Sequence, residues 1–167
     1  MEYYDTDIRT GNGYDVHRLE RGLPLWICGV RIESEKGCVA HSDGDTPIHA
    51  LCDALLGALA LGDIGSIFPN TYPEYKNIDS KILLSETCQI VAVNGYELIN
   101  ADITVVLQTP KLAPYIADMR KTLASVLNCP VSAISVKATT TEFLGFIGRE
   151  EGIAAYASVT LRTKNRL

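Results

Sequence analysis

The sequence predicts an α+β fold in which helices pack on one face of a mixed sheet, and three observations lead there. β-Branched and alternating runs mark strands, segments of helical period lie between them, and the two kinds of element are mixed without strict strand–helix alternation. That irregular order argues against a doubly wound parallel sheet. At 167 residues the chain is expected to form one domain, residues 1–167, with its own core. The acidic residues 1–7 are expected to be a flexible N-terminal extension of it.

The elements follow in order. Ile8 to Val16 and Leu25 to Ile32 read as two strands of a hairpin, joined across the turn residues Glu20-Arg21-Gly22 and Pro24. Asp45 is placed to cap a helix running to about Leu61, with Pro47 in its first turn, Gly62 at its end and a core stripe of Ile48, Leu51, Cys52, Leu55 and Leu59. A loop then runs from Asp63 to Asn77. A second helix is predicted from Ser80 to Val93, capped by Asp79, closed by Asn94-Gly95 and presenting Ile82, Leu83, Glu86 and Ile90 on one face. Ile99 to Gln108 reads as a strand, Pro114 to Leu127 as a helix, and Ile134 to Ala138 and Ile153 to Arg162 as strands.

Composition narrows the function classes. With 47% hydrophobic and 21% charged residues the chain is that of an ordinary folded protein. A net charge of -5 gives no global attraction to nucleic acid or to an anionic membrane, so neither partner is expected. Any anion must then be held locally, by a metal or by backbone donors. Five cysteines with no C-x-x-C pair favour free thiols in a reducing compartment, which points to the cytoplasm. The longest apolar stretch, Ile48 to Leu61, is broken by His49 and Asp53 and is too short to span a bilayer.

The chemistry concentrates in a few places. Asp15 and His17 stand two apart in a predicted strand and so share one face. His49 lies in the first turn of the next helix, with Asp53 four residues on as a carboxylate neighbour. One carboxylate and two imidazoles leave the open fourth position of a catalytic zinc site; the plain alternative is polar surface at Asp15 and His17 and a packed helix-start histidine. His41-Ser42-Asp43-Gly44-Asp45 precedes that helix, whose free N–H groups could seat a phosphate, although capping is the expected job of Asp43 and Asp45. Lys137-Ala-Thr-Thr-Thr-Glu142 offers three hydroxyls and a hard-metal carboxylate, and Arg149 could pair with a phosphate or with Glu151. There is no Walker loop, H-E-x-x-H or complete G-x-G-x-x-G.

Taken together, Gly13-Tyr-Asp-Val-His17, Ala40-His-Ser-Asp-Gly-Asp45, His49-Ala-Leu-Cys-Asp-Ala-Leu-Leu-Gly57, Gly62-Asp-Ile-Gly65, Phe68-Pro69 and Lys137-Ala-Thr-Thr-Thr-Glu142 form a distinctive ordered set. The chain resembles the 2-C-methyl-D-erythritol 2,4-cyclodiphosphate synthase family over about Arg9 to Lys164. The resemblance implies a phosphorus–oxygen lyase of the methylerythritol phosphate route to isoprenoid precursors. It would convert 4-diphosphocytidyl-2-C-methyl-D-erythritol 2-phosphate into the cyclic diphosphate and CMP.

Carried over by motif, Asp15, His17 and His49 would hold one zinc per subunit, and Glu142 a magnesium or manganese ion that arrives with substrate. His41 and Thr140 would flank the transferring phosphate, with Val16 and Ser42 beside them. Asp63, Ile64 and Gly65 would receive the methylerythritol part, with Phe68, Pro69, Asn70, Thr71 and Tyr72 as a substrate loop. Leu107, Gln108, Thr109, Pro110, Lys111, Leu112 and Ala113 resemble the cytidine pocket, and Thr139, Thr140, Thr141 and Glu142 reach the diphosphate; Phe146 and Arg149 match further substrate contacts.

The resemblance also implies a homotrimer with active sites between subunits and a central cavity able to take an isoprenoid diphosphate. It fits a bacterial-type cytoplasmic enzyme, or a plastid form freed of its transit peptide. Asn12, Asn70, Tyr72 and Thr109 depart from the common pattern, where a histidine, two acids and an alanine are usual. Two other readings stay in view: a zinc phosphoester hydrolase whose metal activates water, and a binding module that kept the scaffold without its chemistry.

Overall fold

In the computed structural model residues 7–69 and 77–164 are described. The expected substrate-loop residues Asn70, Thr71 and Tyr72 fall outside them, as does most of the N-terminal extension. Asp7, the last residue of that extension, accepts a hydrogen bond from the Thr163 N–H at 2.8 Å, so it is tied to the sheet.

Strand β1 (Ile8–Arg21) is followed by three short strands, β2 (Leu25–Ile27), β3 (Val30–Ile32) and β4 (Lys36–Cys38). Helices α1 (Thr46–Ala58), α2 (Ile64–Ile67) and α3 (Ser80–Val93) come next, then β5 (Tyr96–Val106), α4 (Ile116–Val126), β6 (Ile134–Thr139), α5 (Gly145–Gly148) and β7 (Gly152–Thr163). The main sheet has the order β4-β1-β7-β5-β6, with only β5 and β6 parallel, which is the mixed sheet expected from the irregular element order.

The expected hairpin between Ile8–Val16 and Leu25–Ile32 does not form. Strand β1 continues to Arg21 and pairs with β7 and β4, while Leu25–Ile32 folds back on itself as β2 and β3. The turn between them places Cys28 at φ 52° and Gly29 at φ 75°. Cysteine is not a usual residue for that left-handed position. It is held there because both carboxylate oxygens of the fully buried Asp45 accept from this turn, from Cys28 N at 2.9 Å and from Gly29 N at 2.6 Å. A contact 17 positions distant overrides the local turn code.

Helix α1 starts as expected, with Asp45 as N-cap to Ile48 N and Pro47 in the first turn. Ile48, Leu51, Cys52 and Leu55 are buried, and Leu59 is the C-cap. Truncating a fully buried leucine such as Leu51 would cost about 2–5 kcal/mol. In the segment expected to be a plain loop, Asp63 caps the single turn of α2, too short to show a period in sequence. Helix α3 has the predicted bounds and Asp79 cap, but it buries Ser80, Leu83, Leu84, Thr87 and Val91 and leaves Ile82 48% exposed. The face is turned because Thr87 satisfies its hydroxyl internally, donating to Leu83 O at 2.8 Å, and so enters the core.

Helices α1, α3 and α4 lie against the strands, α1 on β1, β7 and β5, and α4 on β6. The approach of α1 is close enough to require glycine. A Cβ on Gly13 would stand 1.9 Å from Ala50 O, and one on Gly11 1.9 Å from Ala54 O. Along β1 the neighbouring side chains Tyr14 and Val16 point away from α1 and remain exposed, as does Tyr156, whose ring lies 4.9 Å from that of Tyr14. All five cysteines are free thiols, as expected. Among the described residues no helix is long and apolar enough to cross a membrane.

Candidate metal centre and substrate pockets

The close fit of α1 on β1 assembles the first site. Asp15 and His17 project from β1 on the helix side, and His49 sits next to Ala50, the residue whose carbonyl meets Gly13. Asp15 Oδ2 lies 3.0 Å from His17 Nδ1 and 3.1 Å from His49 Nδ1. The two rings are 5.2 Å apart, and the three ligand atoms fall within 4.8 Å of one another. The sequence-predicted trio therefore converges.

Burial and partners set the electrostatics. Burial alone would raise the carboxyl of Asp15, but hydrogen bonds and charge from His17 and His49 outweigh it and hold the group well below the usual carboxylate range. Burial would lower His49; its hydrogen bond to Asp15 and the charges of Asp15, Asp45 and Asp43 outweigh that and raise it. Asp15 is thus ionised at neutral pH, as a metal ligand must be. The donor set of one carboxylate and two imidazole nitrogens suits a borderline divalent ion such as zinc better than magnesium or calcium, which prefer oxygen.

A cavity of about 450 Å³ opens over this cluster. Asp15, Val16, His17, His41, Ser42 and His49 line it, with Ile64, Gly65 and Phe68 on the far wall. His41 is exposed at its rim. Asp63 does not line the cavity; it accepts from Ser66 N at 2.8 Å and caps α2. Pro69 does not line it either.

Two expectations about this site are refined. Asp53 is the carboxylate neighbour of His49 that helical spacing predicts, lining the same cavity and acting on His49 by charge, but the hydrogen bond it accepts comes from Ile64 N at 2.7 Å, so it also anchors α2. The hydrogen-bond partners of His49 Nε2 are instead Ser80 Oγ at 3.0 Å and Ser42 Oγ at 3.1 Å. At the start of α1 Asp45 takes the expected capping role, accepting from Ile48 N at 3.1 Å from a fully buried position, and so fills the place a phosphate could have taken. Burial pushes the carboxyl of Asp45 up to about 6, against the lowering effect of its backbone donors.

A second cavity, about 280 Å³, lies at the other edge of the sheet. Leu107, Gln108, Pro110, Lys111, Leu112 and Ala113 line it together with Thr139 and Thr140, so the predicted cytidine residues are gathered in one place. Thr109 is the exception. Its hydroxyl donates to Glu150 Oε1 at 2.6 Å, and Lys36 Nζ donates to the Glu150 carbonyl at 2.8 Å. The turn beyond β6 bonds to itself: Thr140 Oγ1 donates to Glu142 Oε1 at 3.1 Å, and Thr141 Oγ1 to Leu144 O at 2.7 Å. Glu142 stands exposed at φ 51°. Lys137 pairs with Asp102, and Arg149 takes the alternative partner foreseen for it, bonding both Glu151 oxygens at 3.0 Å.

Among the described residues of one chain the two cavities share no lining residue. Thr139 is in register with Val106, Ala154 and Val16 across the sheet, three strand spacings or about 14 Å from β1. His41 and Thr140, expected to flank one phosphate, line separate pockets.

Comparison with known proteins places this architecture. The model of the YgbB family matches residues 8–162. A 2-C-methyl-D-erythritol 2,4-cyclodiphosphate synthase of Porphyromonas gingivalis is 59% identical over 153 residues, covering 92% of this chain and 94% of that protein. The synthase of Pseudoalteromonas atlantica is 54% identical, over 93% of this chain and 96% of its own length. Among solved structures, the bifunctional IspDF of Campylobacter jejuni superposes with a TM-score of 0.91 at 48% identity, covering 94% of this chain and 42% of that longer one. A CDP complex of IspF from Plasmodium falciparum superposes with a TM-score of 0.84 at 35% identity, covering 98% of this chain and all (100%) of the other.

Proposed function

The chain belongs to the YgbB family of 2-C-methyl-D-erythritol 2,4-cyclodiphosphate synthases, and from that premise we propose that Asp15, His17 and His49 hold zinc while the substrate cyclises. The protein converts 4-diphosphocytidyl-2-C-methyl-D-erythritol 2-phosphate into 2-C-methyl-D-erythritol 2,4-cyclodiphosphate and CMP in isoprenoid precursor biosynthesis. The observation that carries the metal assignment is the convergence of three ligand atoms within 4.8 Å under an open cavity.

An oxygen of the 2-phosphate attacks the β-phosphorus in line, the bond to the CMP phosphate breaks, and its electrons leave with CMP. No water is consumed. Zinc at this cluster, and magnesium or manganese at Glu142, would supply positive charge against the diphosphate oxygens. The chain's own task is alignment. A 2-phosphate held beside the β-phosphorus has an effective concentration on the order of 10⁵ M or more, far above that of water. His41 and Ser42 at the cavity rim are assigned to one side of the transferring phosphate, and Thr140 to the other. Ile64, Gly65 and Phe68 wall the space for the methylerythritol part, and the Leu107–Ala113 pocket takes the cytosine.

The separation of the two pockets by about 14 Å supports an active site built between subunits, the metal cavity of one facing the cytidine pocket of the next. The exposed Tyr14, Val16 and Tyr156 on the helix-free face of the sheet support association through that face. A homotrimer closed around it would enclose the central cavity in which an isoprenoid diphosphate is proposed to sit. The free thiols agree with a cytoplasmic location.

The test is product analysis in ¹⁸O-labelled water with substrate, zinc and magnesium. Equal amounts of CMP and cyclic diphosphate, both free of label, are expected. Label in the phosphate product would replace the cyclase assignment with a hydrolase.

A further inference from the structure

We propose that Ser80 and Asp43 act as a positioning relay, fixing the His49 ring with a proton on Nε2 and turning Nδ1 toward Asp15 and His17 as the nitrogen left to ligate the metal. This sets how tightly the pocket holds its metal. The proposal rests on the assignment of Asp15, His17 and His49 as zinc ligands.

Ser80 is the first residue of α3 and is fully buried. Its Oγ lies 3.0 Å from His49 Nε2 and is hydrogen-bonded to Asp43 Oδ1. Asp43 is itself fixed, accepting from Ser80 N at 3.0 Å and from Asp45 N at 3.1 Å. Proton directions follow from the donor inventory. A carboxylate only accepts, so the Ser80 hydroxyl gives its single hydrogen to Asp43 and offers His49 only lone pairs. Nε2 must therefore donate, which leaves Nδ1, 3.1 Å from Asp15 Oδ2, as the nitrogen that can ligate a metal.

Ser42 does not reverse this order. Its Oγ, 3.1 Å from the same Nε2, also accepts from Gly44 N at 3.1 Å, so it can share the Nε2 proton as an acceptor. Its own hydrogen stays available to a phosphate oxygen. The relay links three separate segments: the loop before α1, the start of α3 and the metal cluster. Ser80 is thus a helix-start residue by sequence and a support of the metal ligand by position.

The experiment measures zinc affinity of the full-length protein by competition with a chromogenic chelator, for the parent, Ser80→Ala, Asp43→Asn and His49→Ala. Ser80→Ala keeps the backbone N–H that Asp43 accepts, and it is expected to weaken zinc binding about 10–100-fold. Asp43→Asn, whose amide can donate to Ser80 and reverse the chain so that Nε2 accepts and the ring proton moves to Nδ1, is expected to lose at least as much. Unchanged thermal midpoints of the metal-free variants would separate this from a structural effect. Long-range ¹H–¹⁵N correlation of the zinc-loaded parent should show His49 protonated on Nε2, which decides the matter even where Ser80→Ala fails to fold. Parent-like zinc affinity in Ser80→Ala, or a proton on Nδ1 of His49, would overturn the relay while leaving the ligand assignment standing. Full zinc occupancy in His49→Ala would instead remove the assignment and the relay with it.

Discussion

Asp15, His17 and His49 are held by a strand and a helix whose backbones touch, whereas Thr140 and Glu142 stand on an exposed turn that bonds mainly to itself. At the metal pocket each of the three proposed ligand side chains has a partner from another segment: Asp15 from α1, His49 from α3, and His17 from Thr46 at 3.4 Å. At the second cavity the apolar floor is firm, with Leu107 and Leu112 buried, but the Glu142 carboxylate meets, among the described residues, only its neighbour Thr140. The first region is built before any ligand arrives; the second is a surface whose charge is presented outward. A rigid half and an exposed half suit a site completed by a second chain, which can close over the exposed half without disturbing the metal ligands.

The contrast can be broken most sharply at His49. His49→Ala removes one of three ligands, so zinc analysis should show the metal lost and turnover reduced roughly 10³-fold, in line with removing a main charge-stabilising contact. Zinc at one equivalent in that variant would contradict the preset pocket. The next effect is on the frame. Gly13→Ala would drive a Cβ to within 1.9 Å of Ala50 O, and chemical denaturation should show a loss of about 3 kcal/mol as α1 is pushed from β1. A stability within about 0.5 kcal/mol of the parent would mean that the helix does not need this approach.

On the exposed half the effects are expected to be smaller. Glu142→Gln should retain zinc but lose magnesium-dependent turnover by about 10-fold or more, because an amide lacks the charge that a hard cation prefers. Equal magnesium stimulation in variant and parent would take Glu142 out of the metal role. Thr109→Ala is the mildest change. It removes the 2.6 Å bond to Glu150 that steadies the segment proposed to take the cytosine, and KM should rise about 5-fold, the worth of one hydrogen bond, with kcat little altered. A fall in kcat with KM unchanged would place Thr109 in the chemistry instead.

What could be read in the sequence divides along the same line. Asp15 and His17 were legible because a strand has a period of two, and the Asp45 and Asp79 caps because capping is a local code. The hairpin around Cys28-Gly29 was not, since its turn is held by a buried carboxylate from a later segment. Nor was the support of His49. Helical spacing reveals Asp53, which acts on His49 by charge, while the hydrogen-bond partner of its Nε2, Ser80, lies 31 residues away on α3. Local rules reveal which side chains share a face; they carry nothing about which neighbour a packed helix brings alongside. The distance between the His41 and Thr140 pockets is of the same kind, for it follows from strand order and not from any motif.

The most direct test of the two-halved site is complementation between two inactive chains. One carries His49→Ala in the metal pocket; the other carries Thr140→Ala and Glu142→Ala in the exposed turn. Co-refolded in equal amounts, they should regain about a quarter of the parental activity, since random head-to-tail assembly joins the intact half of each at one interface in four. No recovery above the separate variants, with mixed assemblies shown to form, would mean that each chain uses its own two pockets and would contradict the account.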